Sequence, residues 1–427
     1  MFVAFSRLPP GSTRFLLQTK DGESILVVRI GHEQYYAIES VCPHAGGPLN
    51  NGEIVDIEEA EPSIICPYHG YSFSLLDGSN SAVSPAKTWT VRISAEGLNF
   101  AGDPFEIESV SDILDISDLG GYQVCSSRKP AGSGSLNTLL DYAVKILETS
   151  DPLEKTSLTE KAARAFLEDD LPVANASSHH GRADPSPPDM PFRDPDDSKM
   201  VHYSRATRLG AGGSVKSRVA ILHNLANVEL WAIDLAWDCI ARFARYNHSQ
   251  DRRSANNACP FADKGHGELL PDEFFRDFVQ IAREEAKHHI LLRECLEKLG
   301  SEYGALPTHA RLWDSAVDTK HSLICRIAVI NMIHEARGLD VNPQTIAKFR
   351  KVGDEFTAEK LQIIHNDEIK HCYRGQKWFS FFCDQYSLEK YAVFQDVVNR
   401  HFVGHLRPPF NREDRGRAGI DEKYYTN

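Results

Sequence analysis

The sequence predicts an α+β multidomain chain, in which a small antiparallel β domain is followed by an all-α four-helix bundle with extra helices. Three observations carry this. Residues 1–105 read as short strands between turn signals, and from Ser135 onward the apolar residues follow a helical period. Between helical stretches, residues 172–200 lose any period and fill with Pro, Asp and Ser. No repeat with a period of about 20–50 residues is visible, so a solenoid is not expected.

In the first part, "SILVVRI", "YYAIES" and "TWTVRI" are β-branched or aromatic runs, and Asp21-Gly22 and Asp77-Gly78 mark turns. Residues 106–134 read as a connector. "SLNTLLDYAVKILETSD" then spaces Leu136, Leu139, Leu140, Ala143 and Ile146 as one helical face, opened by a Ser cap. "SLTEKAARAFLEDD" predicts a second helix, with Ser157 and Glu160 at capping-box spacing. Residues 135–171 are therefore expected to form a helical hairpin associated with the bundle. Residues 172–200 are expected to be an extended surface strap or linker. In residues 201–427 helices are expected near 214–246, 271–299, 313–338, 357–383 and 387–404. "GLDVNP", Gly338 to Pro343, should stop one of them.

Composition narrows the function classes. A chain of 427 residues suits two or three domains, and 41% hydrophobic with 25% charged residues describes a soluble globular protein. No run approaches the roughly 18 apolar residues needed to cross a bilayer. "MFVAFSRLPPGSTRF" is broken by Arg7, Pro9 and Pro10 and does not read as a secretory signal. A net charge of -13 weighs against a nucleic-acid partner. Nine scattered cysteines argue against a disulfide framework and for a reducing compartment, hence a cytoplasmic location.

Two stretches offer a first constellation. "SVCPHAGGPL" supplies Cys42 and His44, and "IICPYHGYSF" supplies Cys66 and His69, each pair on a turn stiffened by Pro and opened by Gly. Two thiolates for one iron and two imidazoles for the other would hold a two-iron, two-sulfide cluster. Zinc also accepts such a set, although its sites more often pair Cys with Cys and His with His. The pattern closely resembles a Rieske [2Fe-2S] domain of the soluble ferredoxin and oxygenase type, over residues 1–105. That resemblance implies a one-electron carrier, with Cys42 and Cys66 on one iron and His44 and His69 on the other. The extra Cys pair of respiratory members is missing, and Tyr71 stands where high-potential members carry Ser. Both departures imply the lower-potential end of the Rieske range. The long acidic interval "DIEEAE" between the turns fits an extended hairpin.

A second constellation lies in the helical part. "REEAKHH" contains Glu285-x-x-His288 and "NDEIKH" contains Glu368-x-x-His371, and residues three apart share a helix face. Glu229, in "LANVELWAIDLAWD", and Glu335, after the apolar run of "ICRIAVINMIHEARGLD", each put one carboxylate into apolar sequence, where it is costly unless paired or metal-bound. The order Glu, Glu-x-x-His, Glu, Glu-x-x-His over four helices predicts a carboxylate-bridged di-iron site. Taken singly, each motif would suit a solvated face or a surface ion pair. Glu284 and Asp367, each one residue before a ligand Glu, are expected to hydrogen-bond the imidazoles. His289, His334 and His365 break the phase and are read as packing or surface residues. Tyr373, Trp378 and Phe379 read as core before pocket. "LGAGGS", Leu209 to Ser214, follows no predicted strand and so lacks the context of a phosphate loop; no bound nucleotide is expected.

The phrases "VELWAIDLAWD", "EEAKHHILLRECLEKLGSEYGALPTH", "HEARGLD", "IIHNDEIKHCYRGQKWF" and "LRPPFNREDRGRAGI" resemble the ferritin-like superfamily, within it an uncharacterised family akin to the tRNA-hydroxylating branch. The resemblance covers most of residues 135–425. Together the two parts imply an O2-activating di-iron oxygenase or oxidase, acting on a C–H or N–H bond of a small molecule, with a built-in Rieske electron carrier. The expected partners are O2, the substrate, an external flavin-dependent reductase and a second copy of the chain, with no membrane and no nucleic acid. A peroxidase resembling rubrerythrin and an iron-storage or sensing protein are the alternatives.

Overall fold

In the computed structural model the described residues are 2–8, 13–30, 34–44, 46–55, 62–66, 71–80, 83–94, 96–101, 106–112, 136–168, 171–174, 185–193, 200, 212–246, 268–402, 406 and 410–426. The chain divides into two compact units. One comprises residues 1–123, 201–221 and 403–408, and the other residues 124–200, 222–402 and 409–427.

The first unit is an antiparallel β half-barrel. Strands β1 (Phe2–Ala4), β2 (Arg14–Thr19), β3 (Ser24–Ile30), β4 (Gln34–Glu39), β5 (Glu53–Val55), β6 (Ser63–Ile65), β7 (Ser72–Ser74), β8 (Thr88–Ile93), β9 (Gly97–Ala101) and β10 (Ile107–Asp112) form two sheets. The larger runs β1-β9-β8-β4-β3-β2-β10, and the smaller runs β5-β6-β7. Alternation places Phe15 and Leu17 of β2 inward, where they pack with Val3, Ile25, Val27, Ala37, Trp89, Leu98 and Phe100. The sheet extends past residue 105. β10 pairs with β2, Val110 opposite Leu17, so "IESVSD" is a strand and not part of the connector that the sequence predicts. Its alternation is weak because an edge strand buries little. The acidic interval is spanned by the β5–β6 hairpin, Val55 opposite Ser63, with residues 56–61 outside the described set.

The second unit is helical, and of α3 it takes the residues from 222 onward. Its segments are α1 (Leu139–Leu147), α2 (Pro152–Leu167), α3 (Val215–Phe243), α4 (Asp272–Lys298), α5 (Arg311–Asp318), α6 (Leu323–Ile327), α7 (Glu335–Lys351), α8 (Glu355–Gln385), α9 (Lys390–His401) and α10 (Arg412–Arg417). A π-helical segment, Ala328–His334, joins α6 to α7 without a break.

Three expectations about helix ends are corrected. Helix α1 is capped by Thr138, in a capping box with Asp141, while Ser135 lies outside the described residues. Helix α2 starts at Pro152 behind an Asp151 cap, which puts Ser157 inside the helix; Glu160 instead receives Arg283 of α4 through two hydrogen bonds of 2.9 and 2.7 Å. Helix α7 runs through both Gly338 and Pro343. Pro343 cannot donate to the carbonyl of Leu339 four residues back, and Asn411 Nδ2 supplies the missing donor at 3.1 Å. Asp340, in turn, accepts the Asn411 backbone N–H at 2.8 Å and a two-pronged contact from Arg415.

Helix α3 contains an 18-residue window with a mean hydropathy of 1.2, enough by length and composition to cross a membrane, but 72% of that window is buried within the fold. It is the core helix of the bundle. Two of its acids anchor buried ion networks. Asp234 receives Lys155 of α2 and Arg193, and Asp238 receives Arg242 and Arg326. Arg193 also stacks on Trp231, 3.7 Å from the ring centroid. The described part of the Pro- and Asp-rich strap is therefore fastened to the helices: Phe192 N–H donates to Leu147 and Trp313 Nε1 to Asp189. Removing one partner from such a buried network costs about 3–5 kcal/mol.

Candidate metal centres

In the β unit the first turn leaves β4 and the second joins β6 to β7. Each is closed by its cysteine: Cys42 N–H donates to Gly47 O and Cys66 N–H to Tyr71 O, both at 2.7 Å. Gly46 completes the first turn at φ 73°, the left-handed region that disfavours a side chain. Cys42 and Cys66 are fully buried, and the ring of His44, also buried, packs on Tyr71 with centroids 4.5 Å apart. His69 lies outside the described residues.

In the helical unit, α4 buries a stripe made of Phe274, Phe278, Ile281, Leu292 and Cys295. Glu285 and His288 occupy that stripe where the period calls for apolar residues. The same is true of Glu368 and His371 on α8, between Leu361 and Trp378. Glu229 enters from α3. Glu335 is the first residue of α7, directly after the π-helical segment, a distortion often found at functional sites.

These six side chains meet in two overlapping groups, one of Glu229, Glu285, His288 and Glu368, the other of Glu285, Glu335, Glu368 and His371. Within each group the ligand-type atoms lie within 4.8 Å of one another. Glu285 and Glu368 belong to both. Glu285 Oε2 is 3.4 Å from His288 Nδ1 while its Oε1 is 2.9 Å from His371 Nδ1. Glu368 repeats the arrangement, Oε1 at 3.4 Å from His288 Nδ1 and Oε2 at 3.7 Å from His371 Nδ1. Glu229 Oε2 lies 3.5 Å from the first imidazole and Glu335 Oε2 3.6 Å from the second.

The far side of each ring is tied across the helix pair. His371 Nε2 donates to Glu284 at 2.9 Å and His288 Nε2 to Asp367 at 3.3 Å. Each acid thus serves the histidine of the other motif. Arg374 and Gln280 hold Glu284, and Lys287 and Lys370 hold Asp367. Asn331, in the π-helical segment, donates to Glu335 Oε1 at 3.0 Å. Sequence reasoning missed Asn331, Arg374 and the two lysines. A signal for the lysines was present, since both motifs read acid-Glu-x-Lys-His.

With both Nε2 atoms donating outward, both Nδ1 atoms point inward. There they are buried with no hydrogen-bond partner, as are Glu285 Oε2 and Glu335 Oε2. Orphaned buried donors and acceptors aimed at one point are costly unless a cation joins them. Burial pushes the Glu229 and Glu335 carboxyls well above the usual range, helped by the charges of Glu285 and Glu368 respectively. Burial would also raise Glu285, but the charge of His371, with Glu229 and His288 beside it, holds it well below. For both imidazoles burial opposes charge, yet the ring of carboxylates overrides it and raises them well above 6.5. Without metal, therefore, protons occupy the centre.

His289, His334 and His365 are set apart from this centre. His289 donates from Nδ1 to Ala226 O at 2.8 Å, His334 meets Ser315 Oγ at 2.9 Å and His365 meets Asp414 at 3.0 Å. Trp378 and Phe379 are core, and Tyr373 is 52% exposed. Of "LGAGGS", residues 209–211 lie outside the described set.

Comparison with known proteins follows the same division. Residues 148–426, more than half of the chain, match a family described as "Protein of unknown function (DUF455)". The chain belongs to the DUF455 family. All six converging residues fall inside the DUF455 region. Residues 4–93 match the Rieske [2Fe-2S] domain, so the N-terminal unit carries an electron-transfer iron–sulfur component ahead of the DUF455 region. An "Uncharacterized protein" of Haemophilus influenzae is 32% identical over 203 residues, 48% of this chain and 65% of that protein. A human "Rieske domain-containing protein" is 36% identical over 67 residues, 16% of this chain and 41% of that protein. The chain thus spans less than two thirds of the length of either relative.

Proposed function

We propose that the DUF455 region is a carboxylate-bridged di-iron oxygenase or oxidase acting on a small organic substrate, with electrons fed by its own Rieske domain. The observation that carries this reading is the double membership of Glu285 and Glu368, each turning one oxygen to each imidazole. Two metal ions sharing two carboxylates need that arrangement. Glu229 and His288 would complete the ligands of one iron, and Glu335 and His371 those of the other. Cys42, His44, Cys66 and His69 would hold the [2Fe-2S] cluster. When bound, the iron pair supplies two-electron reduction of O2 and the cluster supplies electrons singly.

The protein's own groups set the conditions. Glu284 and Asp367 fix both rings with Nδ1 inward, and they fix the tautomer as well. Phe274, packed edge to face on Trp378 and tilted against Phe278 on the centre's helices, helps keep water from that end of the bundle. Burial raises the proton affinity of Glu229 and Glu335, so iron would compete with protons there. A separate flavin-dependent reductase in the cytoplasm would refill the cluster.

The test uses the full iron-loaded chain, reduced chemically without air and then mixed with O2. Oxygen should be consumed in proportion to the di-iron content. Glu285→Ala should abolish that consumption while leaving the Rieske electron-paramagnetic signal intact. A centre indifferent to O2 but discharged quickly by H2O2 would replace the oxygenase reading with a peroxidase. Indifference to both would end both readings.

A further inference from the structure

A second group of metal-ligating side chains lies apart from the six. His321 precedes α6, Cys325 sits in its first turn and His401 is the last residue of α9. One ring nitrogen from each histidine and the Cys325 sulfur lie within 4.8 Å of one another. The two rings face each other with centroids 5.2 Å apart and a tilt of 45°. The Nε2 atoms of both are buried with no hydrogen-bond partner. Cys325 itself is fully buried, and its backbone N–H is held by the Ser322 cap at 3.3 Å.

Packing alone accounts poorly for this. A buried ring nitrogen without a partner costs about 1–3 kcal/mol, and both histidines of this group carry one. Two imidazoles and a thiolate form a borderline-soft set, suited to Zn2+ and unsuited to hard cations such as Mg2+ or Ca2+. Zn–N and Zn–S bonds of about 2.1 and 2.3 Å put tetrahedral donors about 3.3–3.6 Å apart. The donors would then need to close by no more than about 1.5 Å, within reach of side-chain rotation.

We propose that His321, Cys325 and His401 form a further metal site for one Zn2+ ion, which ties the start of the helix leading to Glu335 to the end of α9. One ring nitrogen of each histidine is a donor, and Cys325 gives up its proton to bind. A tetrahedral ion held by these three keeps one position for water or a further ligand. The proposal is independent of the di-iron reading, since it shares no residue with the six.

The experiment equilibrates the full chain, with its iron in place, against a slight excess of Zn2+. The chain is then desalted and its zinc and iron are measured. The parent should retain one zinc per chain with unchanged iron, and zinc should raise its melting temperature. Cys325→Ser and His401→Asn should retain at least about tenfold less zinc and show no zinc-dependent melting shift. Cys383→Ser, which removes a buried thiol away from both groups, should behave as the parent. His401 is partly exposed, so His401→Asn leaves the core filled and keeps the test valid if Cys325→Ser does not fold. Failure of the parent to retain zinc, or equal retention by His401→Asn, overturns the proposal.

Discussion

His371 Nε2 donates to Glu284 at 2.9 Å, joining the second Glu-x-x-His helix to the residue that precedes the first motif's glutamate. Burial would raise the Glu284 carboxyl, but His371 and Arg374 hold it down at about 2, so it stays an acceptor at every working pH. An acceptor there keeps the proton on Nε2 and leaves Nδ1 as the metal donor. Glu284→Ala should weaken iron binding by about 10–100-fold while the fold persists. Titration with ferrous iron under anaerobic conditions measures this. Glu284→Gln, which keeps hydrogen-bonding capacity without the charge, should lose less. Equal losses in the two variants would mean that ring orientation is set elsewhere.

Metal uptake should depend steeply on pH. Without metal, Glu229, Glu335, His288 and His371 are all raised well above their ordinary values, the carboxyls by burial first and the imidazoles by their carboxylate neighbours against burial. The empty centre therefore carries more protons than the filled one. Affinity must rise with pH, by about tenfold per pH unit for each proton released. Calorimetric iron titrations in buffers of different ionisation enthalpy count those protons directly. A count of zero would remove this account of the centre's charge.

A different histidine should govern stability in acid. His289 is fully buried, and its Nδ1–H donates to the carbonyl of Ala226, which can only accept. Nε2 is left without a partner, so protonation would strand a charged N–H in the core. Burial first, with Arg293 and Arg193 nearby, lowers its pKa to about 4. The unfolded chain takes up this proton near 6.5 and the folded one only near 4. This stabilising contribution is thus intact above 6.5 and lost as pH falls from 6.5 to 4, at up to about 1.4 kcal/mol per pH unit. His289→Asn, which retains a donor for Ala226, should flatten the urea-unfolding stability profile in that window relative to the parent.

The convergence of the six side chains is legible in sequence because it rests on local periodicity. A Glu and a His three apart share a face, and a lone Glu in an apolar helix must find a partner. What depends on distant contacts is not legible. Gly338 and Pro343 read as a helix stop because the chain alone gives Leu339 no donor, and the donor comes from Asn411. Ser157 reads as a cap because its box spacing is right, whereas Asp151 followed by Pro152 is the stronger start. Arg193 looks like part of a solvated strap until Asp234 and Trp231 are seen beneath it. The weakly alternating β10 declares itself only through its partner β2.

Gly375 on α8 tests how the π-helical segment serves Glu335. A Cβ at Gly375 would lie 2.4 Å from Cβ of Asn331, closer than any real contact allows. Asn331 is the residue whose side-chain amide donates to Glu335 Oε1. In an open helix Gly→Ala would stabilise by about 1 kcal/mol through propensity. Here overpacking should win, costing about 1–3 kcal/mol and pushing Asn331 away from the carboxylate. Gly375→Ala should therefore lower both the melting temperature and iron occupancy. Adding Asn331→Gly, which removes the clashing Cβ, should recover part of the melting temperature, while iron occupancy stays low because Glu335 still lacks its donor. Recovery of both together would show that α8 spacing alone, and not the Asn331 hydrogen bond, controls Glu335.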